Sequence, residues 1–144
     1  MTKWLLIPVM LLLAACEEEQ SYRQDQAACE TIQSYADAVI QSDPFDITGA
    51  EITGDCLKIT VRYGGGCMPH DFTLDYSFLP DFSYFTGVLH LSHNANGDLC
   101  KALCTGDVYF DLTGIQEPGM KMISLILTEN LENSDYQLLI NYYY

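Results

Sequence analysis

The chain has 144 residues, with 20 acidic side chains against six basic ones and a formal charge of −14. That balance argues against nucleic acid as a partner, because phosphate contacts need a basic patch, and against direct adhesion to anionic lipid headgroups. Cations, or a basic protein or peptide, suit such a field better, and the length fits one domain with a real hydrophobic core.

Lys3 puts a positive charge near the start, and residues 4–15 are then apolar without a charge. The run is too short for a bilayer core, which needs about 20 helical residues. A charged start, a short apolar stretch and small residues before a cut are the layout of a secretory signal. Leu13-Ala14-Ala15-Cys16 resembles the lipobox of bacterial lipoproteins. The resemblance implies cleavage before Cys16, acylation of its thioether and new amino group, and attachment to a membrane of the cell envelope, with the outer membrane expected. Each buried methylene contributes about 0.8 kcal/mol and one chain alone is marginal, so two chains or more are needed for lasting attachment. Glu17-Glu18-Glu19 follows at once. It reads as a solvated spacer, and it also looks like the acidic tract that sends some Gram-negative lipoproteins to the outer cell surface. The chain thus divides into a signal (1–15), a lipid anchor and polar tether (16–26), and a single domain (27–144).

Within that domain, Ala28, Ile32, Tyr35, Ala36, Val39 and Ile40 recur at helical spacing and predict one short α-helix over residues 27–40. Asp25 is a cap candidate before it, and Ser42-Asp43-Pro44 ends it, because the residue before proline avoids helical dihedrals. The period then changes to two. Leu57, Ile59, Val61 and Tyr63 alternate with Lys58, Thr60 and Arg62; Phe72, Leu74 and Tyr76 with Thr73, Asp75 and Ser77; Val108, Phe110 and Leu112 with Tyr109 and Asp111. Each pattern is that of a strand with one face buried and one wet. Weaker strand signals cover 46–53, 84–93, 120–128 and 136–143. Gly54-Asp55 and Asn94-Ala95-Asn96-Gly97-Asp98 are turn signals. About seven short antiparallel strands at this spacing predict a mainly β fold, an antiparallel β-sandwich. A partly closed barrel is the alternative. The aromatic tail Asn141-Tyr142-Tyr143-Tyr144 reads as the end of a strand at a sheet edge.

Six cysteines remain after export. With Cys16 committed to lipid, five can pair outside the cytoplasm, in arrangements among which sequence does not choose. Cys67–Cys100 is one candidate bridge, contributing about 4 kcal/mol through loop-closure entropy. Cys29–Cys56 is a second. Cys104 is the expected odd one, a small buried hydrophobe. Cys67-x2-His70 and His93-x6-Cys100 form the alternative: two cysteines and two histidines are a tetrahedral zinc set. A disulfide sulfur is not a thiolate, so bridge and zinc site exclude each other in one state.

Catalytic patterns are sparse. There is no Gly-x-Ser-x-Gly elbow and no His-Glu-x-x-His helix. Gly64-Gly65-Gly66-Cys67 lacks the lysine and hydroxyl of a phosphate loop. Cys67 with His70 is formally a nucleophile and base, but the same cysteine is the bridge candidate. The segment from Asn94 lacks the late glutamate of a calcium loop, since Thr105 stands in its place. His90 falls on a strand and reads as a packed side chain. Gly54-Asp55-Cys56-Leu57, Gly65-Gly66-Cys67-x2-His70, Ser92-His93-x6-Cys100 and Phe110-Asp111-Leu112 look like a group of uncharacterised bacterial lipoproteins. That resemblance implies no activity and no cofactor.

The expectation is a membrane-anchored, non-catalytic binding or accessory module with a protein or peptide partner in the cell envelope. A zinc-binding lipoprotein and an inhibitor of a basic extracellular enzyme are the alternatives. Cys16→Ser is expected to move the protein from the membrane pellet to the soluble fraction; a variant that still sediments with membrane refutes the anchor.

Overall fold

Strands form where apolar and polar side chains alternate, because successive side chains point to opposite faces of the pleat. In the computed structural model, which describes residues 29–34, 42–78, 86–129 and 137–144, this gives strands β1 (Glu30–Thr31), β2 (Gln33–Ser34), β3 (Phe45–Thr53), β4 (Cys56–Gly65), β5 (Asp71–Phe78), β6 (Thr86–Asn94), β7 (Ala102–Asp111), β8 (Met122–Thr128) and β9 (Gln137–Tyr143). They make a four-stranded sheet, in the order β1-β7-β4-β3, and a five-stranded sheet, β2-β5-β6-β8-β9. A single 3-10 turn, Thr113–Ile115, links β7 to β8.

The two sheets share one core. Leu57, Ile59 and Val61 of β4 meet Leu89 and Leu91 of β6 and Leu125 of β8 within it, all inaccessible to solvent. The opposite face of β4 stays wet, where Lys58 pairs with Glu51 and Arg62 with Asp46 across to β3. The β6 strand differs, being buried on both faces from Gly87 to His93. Gly87 permits a close crossing there, since a side chain at that position would collide with the Tyr76 ring.

Two expectations are corrected. The predicted helix over 27–40 is not formed at residues 29–34, which are extended: β1 runs parallel to the end of β7 and β2 parallel to β5. Cys29 is fixed to Cys56 by a disulfide, with Cα atoms 6.2 Å apart. From there the chain passes from one sheet to the other, and a helical segment, at about 1.5 Å per residue against about 3.3 Å for a strand, covers less ground. The rest of that predicted helix, together with the signal and tether, lies outside the described residues. The sandwich is also not wholly antiparallel, because β6 and β8 pair in parallel. Parallel neighbours need a crossover, and β7 supplies it by lying in the opposite sheet.

The end of the sandwich at the β3–β4 turn is tied by Tyr142 of β9. Its ring is fully buried and its hydroxyl donates to Asp55 Oδ1 at 2.6 Å. Gln116 Nε2 donates to the same hydroxyl at 2.6 Å, and the Leu112 N–H donates to the Asp55 carbonyl. Burial, and then the Asp55 carboxylate, push the phenol up to about 12. A hydrogen bond to a charged acceptor contributes about 1.5–3 kcal/mol. Tyr142→Phe is therefore expected to cost about 2 kcal/mol in urea denaturation, whereas Tyr143→Phe, at an exposed ring, is expected to change stability by less than about 0.5 kcal/mol.

Candidate functional site

The opposite end of the sandwich gathers most of the residues that the sequence marks as chemically interesting. The loop after β4 carries Cys67 and His70, and the loop after β6 carries Asp98 and Cys100. The second loop turns through Asn96 and Gly97, both at positive φ (52° and 76°), and closes with Asp98 N–H donating to the Ala95 carbonyl at 2.9 Å. This is the two-residue type I′ geometry that Asn-Gly favours. Asn96 Nδ2 then donates to the Pro69 carbonyl at 3.0 Å and to Asp71 Oδ2 at 2.8 Å, holding the loops together.

Cys67 and Cys100 are joined by a disulfide, with Cα atoms 5.9 Å apart. Between them sits Asp98. Its carboxylate accepts the backbone N–H groups of Cys67 (2.8 Å), Met68 (3.0 Å) and Cys100 (2.8 Å). These bonds, led by that from Cys100, hold its carboxyl well below the usual carboxylate range. His70 Nε2 lies 3.2 Å from Asp98 Oδ2, and both side chains are almost wholly buried. Gly65, at φ 151°, leaves the room: a Cβ there would lie 2.5 Å from His70 Nε2.

His70 Nδ1 meets His93 Nε2 at 2.7 Å. With His70 Nε2–H donating to Asp98, its Nδ1 accepts from His93 Nε2–H, a relay that satisfies each donor in turn. It ends at His93 Nδ1, a buried atom that makes no hydrogen bond of regular geometry, although the ring lies close enough to the backbone of Asp43 and Pro44 for these to favour its protonated form. The His93 ring stacks on Phe72 (centroids 4.5 Å apart) and meets Phe45 edge-on, while Tyr63 tilts against both imidazoles. Burial lowers the His93 pKa, and the neighbouring His70 acts in the same direction.

The four residues of the alternative zinc set, Cys67, His70, His93 and Cys100, thus do converge on one end, but the sulfurs are bonded to each other and the histidines face each other. The paired Cys29 and Cys56 lie at the far end of β4. Cys104 is half-buried and is the one free cysteine among the described residues; Cys16 lies outside them. His90 is buried in β6 opposite Asp75 of β5, on the face away from the core. Asp98 is the residue that sequence reasoning missed. It appears there only as the end of a turn, and its one signal is its place two residues before Cys100. Cys67, the nucleophile that the sequence pairs with His70, is held in the disulfide.

Solved structures with this architecture include the following three. A NigD-like immunity protein from Bacteroides caccae superposes with a TM-score of 0.58 at 19% identity, over 79% of this chain and 58% of the other. The fold resembles that of this immunity protein. A putative toxin-related protein from Parabacteroides distasonis gives 0.58 at 21% identity, over 80% of this chain and 61% of the other. A protein of unknown function from Bacteroides vulgatus gives 0.58 at 17%, over 79% and 56%. The chain therefore spans less than two thirds of the length of each, and the likeness is one of fold. No protein-family model and no curated protein matches the chain.

The site sets an acid sensitivity. His93 and Asp98 both take up a proton more readily in the unfolded chain than in the folded one. Their stability is fully present above the unfolded values and is lost as pH falls through the lowered folded ones. For His93 the loss begins below the ordinary 6.5, and for Asp98 below 3.8. Asp75, raised by burial, acts in the opposite sense above 3.8. Melting curves are expected to show Tm falling from pH 7 toward pH 5 in the native chain, and His93→Gln is expected to flatten that slope while leaving the fall below 3.8.

Proposed function

We propose that this chain is a lipid-anchored, non-catalytic accessory module of the cell envelope that binds and restrains a basic protein. The observation that carries the reading is the surface of the disulfide-capped end. Leu99 is 91% exposed, Leu103 73% and Met68 49%. Met68 and Leu99 each adjoin a bridged cysteine, and Leu103 of β7 pairs with Gly64. Large apolar side chains held out on a fixed loop end are the usual centre of a protein interface, where a few fully desolvated anchors supply most of the affinity.

The charge supplies the partner's sign. The wet face of the four-stranded sheet has its two cations, Lys58 and Arg62, already in ion pairs with Glu51 and Asp46, whereas Asp107 accepts from the Thr60 hydroxyl and Asp111 from Thr113, neither with an ion-pair partner at contact distance among the described residues. A field of this sign speeds encounter with a basic protein and weakens with salt. The fold likeness to an immunity protein supports an inhibitor-like role, and the lipobox at Leu13–Ala14–Ala15–Cys16 supports the envelope as the place.

The test is affinity capture from cell-envelope extract with the native chain and with a Leu99→Asp/Leu103→Asp variant whose β structure is checked by circular dichroism. The native chain is expected to retain a basic protein at low salt and release it above about 0.3 M salt, where screening is short-ranged. The double variant is expected to lose it. Equal capture by both chains, or capture insensitive to salt, overturns the reading.

A further inference from the structure

Three potential ligand groups meet at the loop end, two of them joined in a disulfide, and a fourth, His70, touches the third. The ligand atoms of Cys67, Asp98 and Cys100 all lie within 4.8 Å of one another. His70 Nε2 is 3.2 Å from Asp98 Oδ2. A tetrahedral zinc site separates its ligands by about 3.5 Å, given metal–ligand bonds of about 2.0–2.3 Å. The carboxylate and imidazole already stand close to that spacing; the sulfurs must separate on reduction and the His70 ring must move toward them to complete the set. The geometry points to a redox-gated site for zinc or a similar divalent metal ion, formed by Cys67 Sγ, Cys100 Sγ, Asp98 and His70 Nε2 when the Cys67–Cys100 disulfide is reduced. The set differs from the two-cysteine, two-histidine pattern of the sequence, with Asp98 as the fourth ligand in place of His93.

The surroundings suit such a site. Asp98 is held ionised by three backbone N–H groups, two of them from the cysteines themselves. A metal-bound histidine usually donates its second ring N–H to a neighbour that fixes its orientation, and His93 Nε2 stands 2.7 Å from His70 Nδ1 for that role. Binding through His70 Nε2 moves its proton to Nδ1, and His93 then carries its own proton on Nδ1, the atom without a regular hydrogen bond in the disulfide form. The two rings hold the same number of protons before and after.

The redox step balances. A dithiol of the envelope gives two electrons and two protons to the Cys67–Cys100 bond and becomes a disulfide itself, leaving two thiols. The metal then displaces one proton from each. Cys67 is exposed, so an external dithiol can reach it.

Cobalt tests the site, because thiolate ligation gives an intense near-ultraviolet charge-transfer band and tetrahedral geometry gives visible absorption. The full chain is titrated with Co2+ in the oxidised form and after reduction with a thiol-free phosphine. One equivalent with a thiolate band is expected in the reduced form and none in the oxidised form. Cys67→Ser is expected to weaken binding and to lower the band to that of a single thiolate at most, and Cys67→Ser/Cys100→Ser to remove it. His70→Gln and Asp98→Asn, which keep every cysteine, are expected to weaken binding at least about tenfold. Zinc is expected to displace the cobalt and protect Cys67 and Cys100 from alkylation. A reduced native chain that gives no thiolate–cobalt band, or that unfolds whether or not metal is present, overturns the proposal. So does full affinity in either His70→Gln or Asp98→Asn, since the remaining thiols are then the ligands.

Discussion

One strand carries a covalent crosslink at or just beyond each of its ends. The β4 strand begins at Cys56, bonded to Cys29, and two residues past its last residue comes Cys67, bonded to Cys100. Between these fixed points it presents Leu57, Ile59 and Val61 to the core and pairs along its length with both β3 and β7. The register of the four-stranded sheet is therefore specified twice, by the buried face and by the bridges. A one-residue slip would bring Lys58 and Arg62 into the core and pull both cysteine pairs out of bonding range. The loop end inherits this rigidity, and the relay from Asp98 through His70 to His93 depends on it.

Much of this was legible in the sequence. The β4 strand, with the cleanest alternation, has one buried and one wetter face, and period two reports that directly; in β5 the same alternation survives in the sequence although Asp75, on the face away from the core, is also buried. The β6 strand is a weaker signal for a physical reason: it is covered on both faces, so Val88, His90 and Ser92 are buried along with Leu89 and Leu91, and no alternation of buried and wet positions survives. The segment at residues 29–34 misled because its apolar residues fall at helical spacing, while its conformation is set by tertiary ties: the bridge to Cys56 and short pairings with β7 and β5. Parallel pairing of β6 with β8 is likewise a property of the chain path and not of either strand's composition.

At the candidate site, residue type was legible and arrangement was not. Cysteine and histidine announce themselves, and turn signals put Cys67, His70, His93 and Cys100 near one end. Asp98 did not stand out, because an aspartate after Asn-Gly looks like ordinary turn chemistry. Its role follows from three backbone N–H groups converging on one carboxylate, two of them from a loop some thirty residues earlier. The alternation puts Tyr63 and Phe72 on the buried faces of β4 and β5, and both pack, half-buried, against the core; that the same rings also wall the histidine pair appears only when the sheets are brought together.

The two bridges also fix a direction. Cys29, the first described residue after the acidic tract, is bonded at the start of β4, and the loops with Leu99 and Cys100 lie beyond its other end. Ten strand residues at about 3.3 Å each put roughly 30 Å between these poles. Under the proposed attachment at Cys16, the lipid tie enters the described domain at the Cys29 pole, and the apolar side chains of Leu99 and Met68 lie at the opposite one, open to a ligand arriving along the long axis.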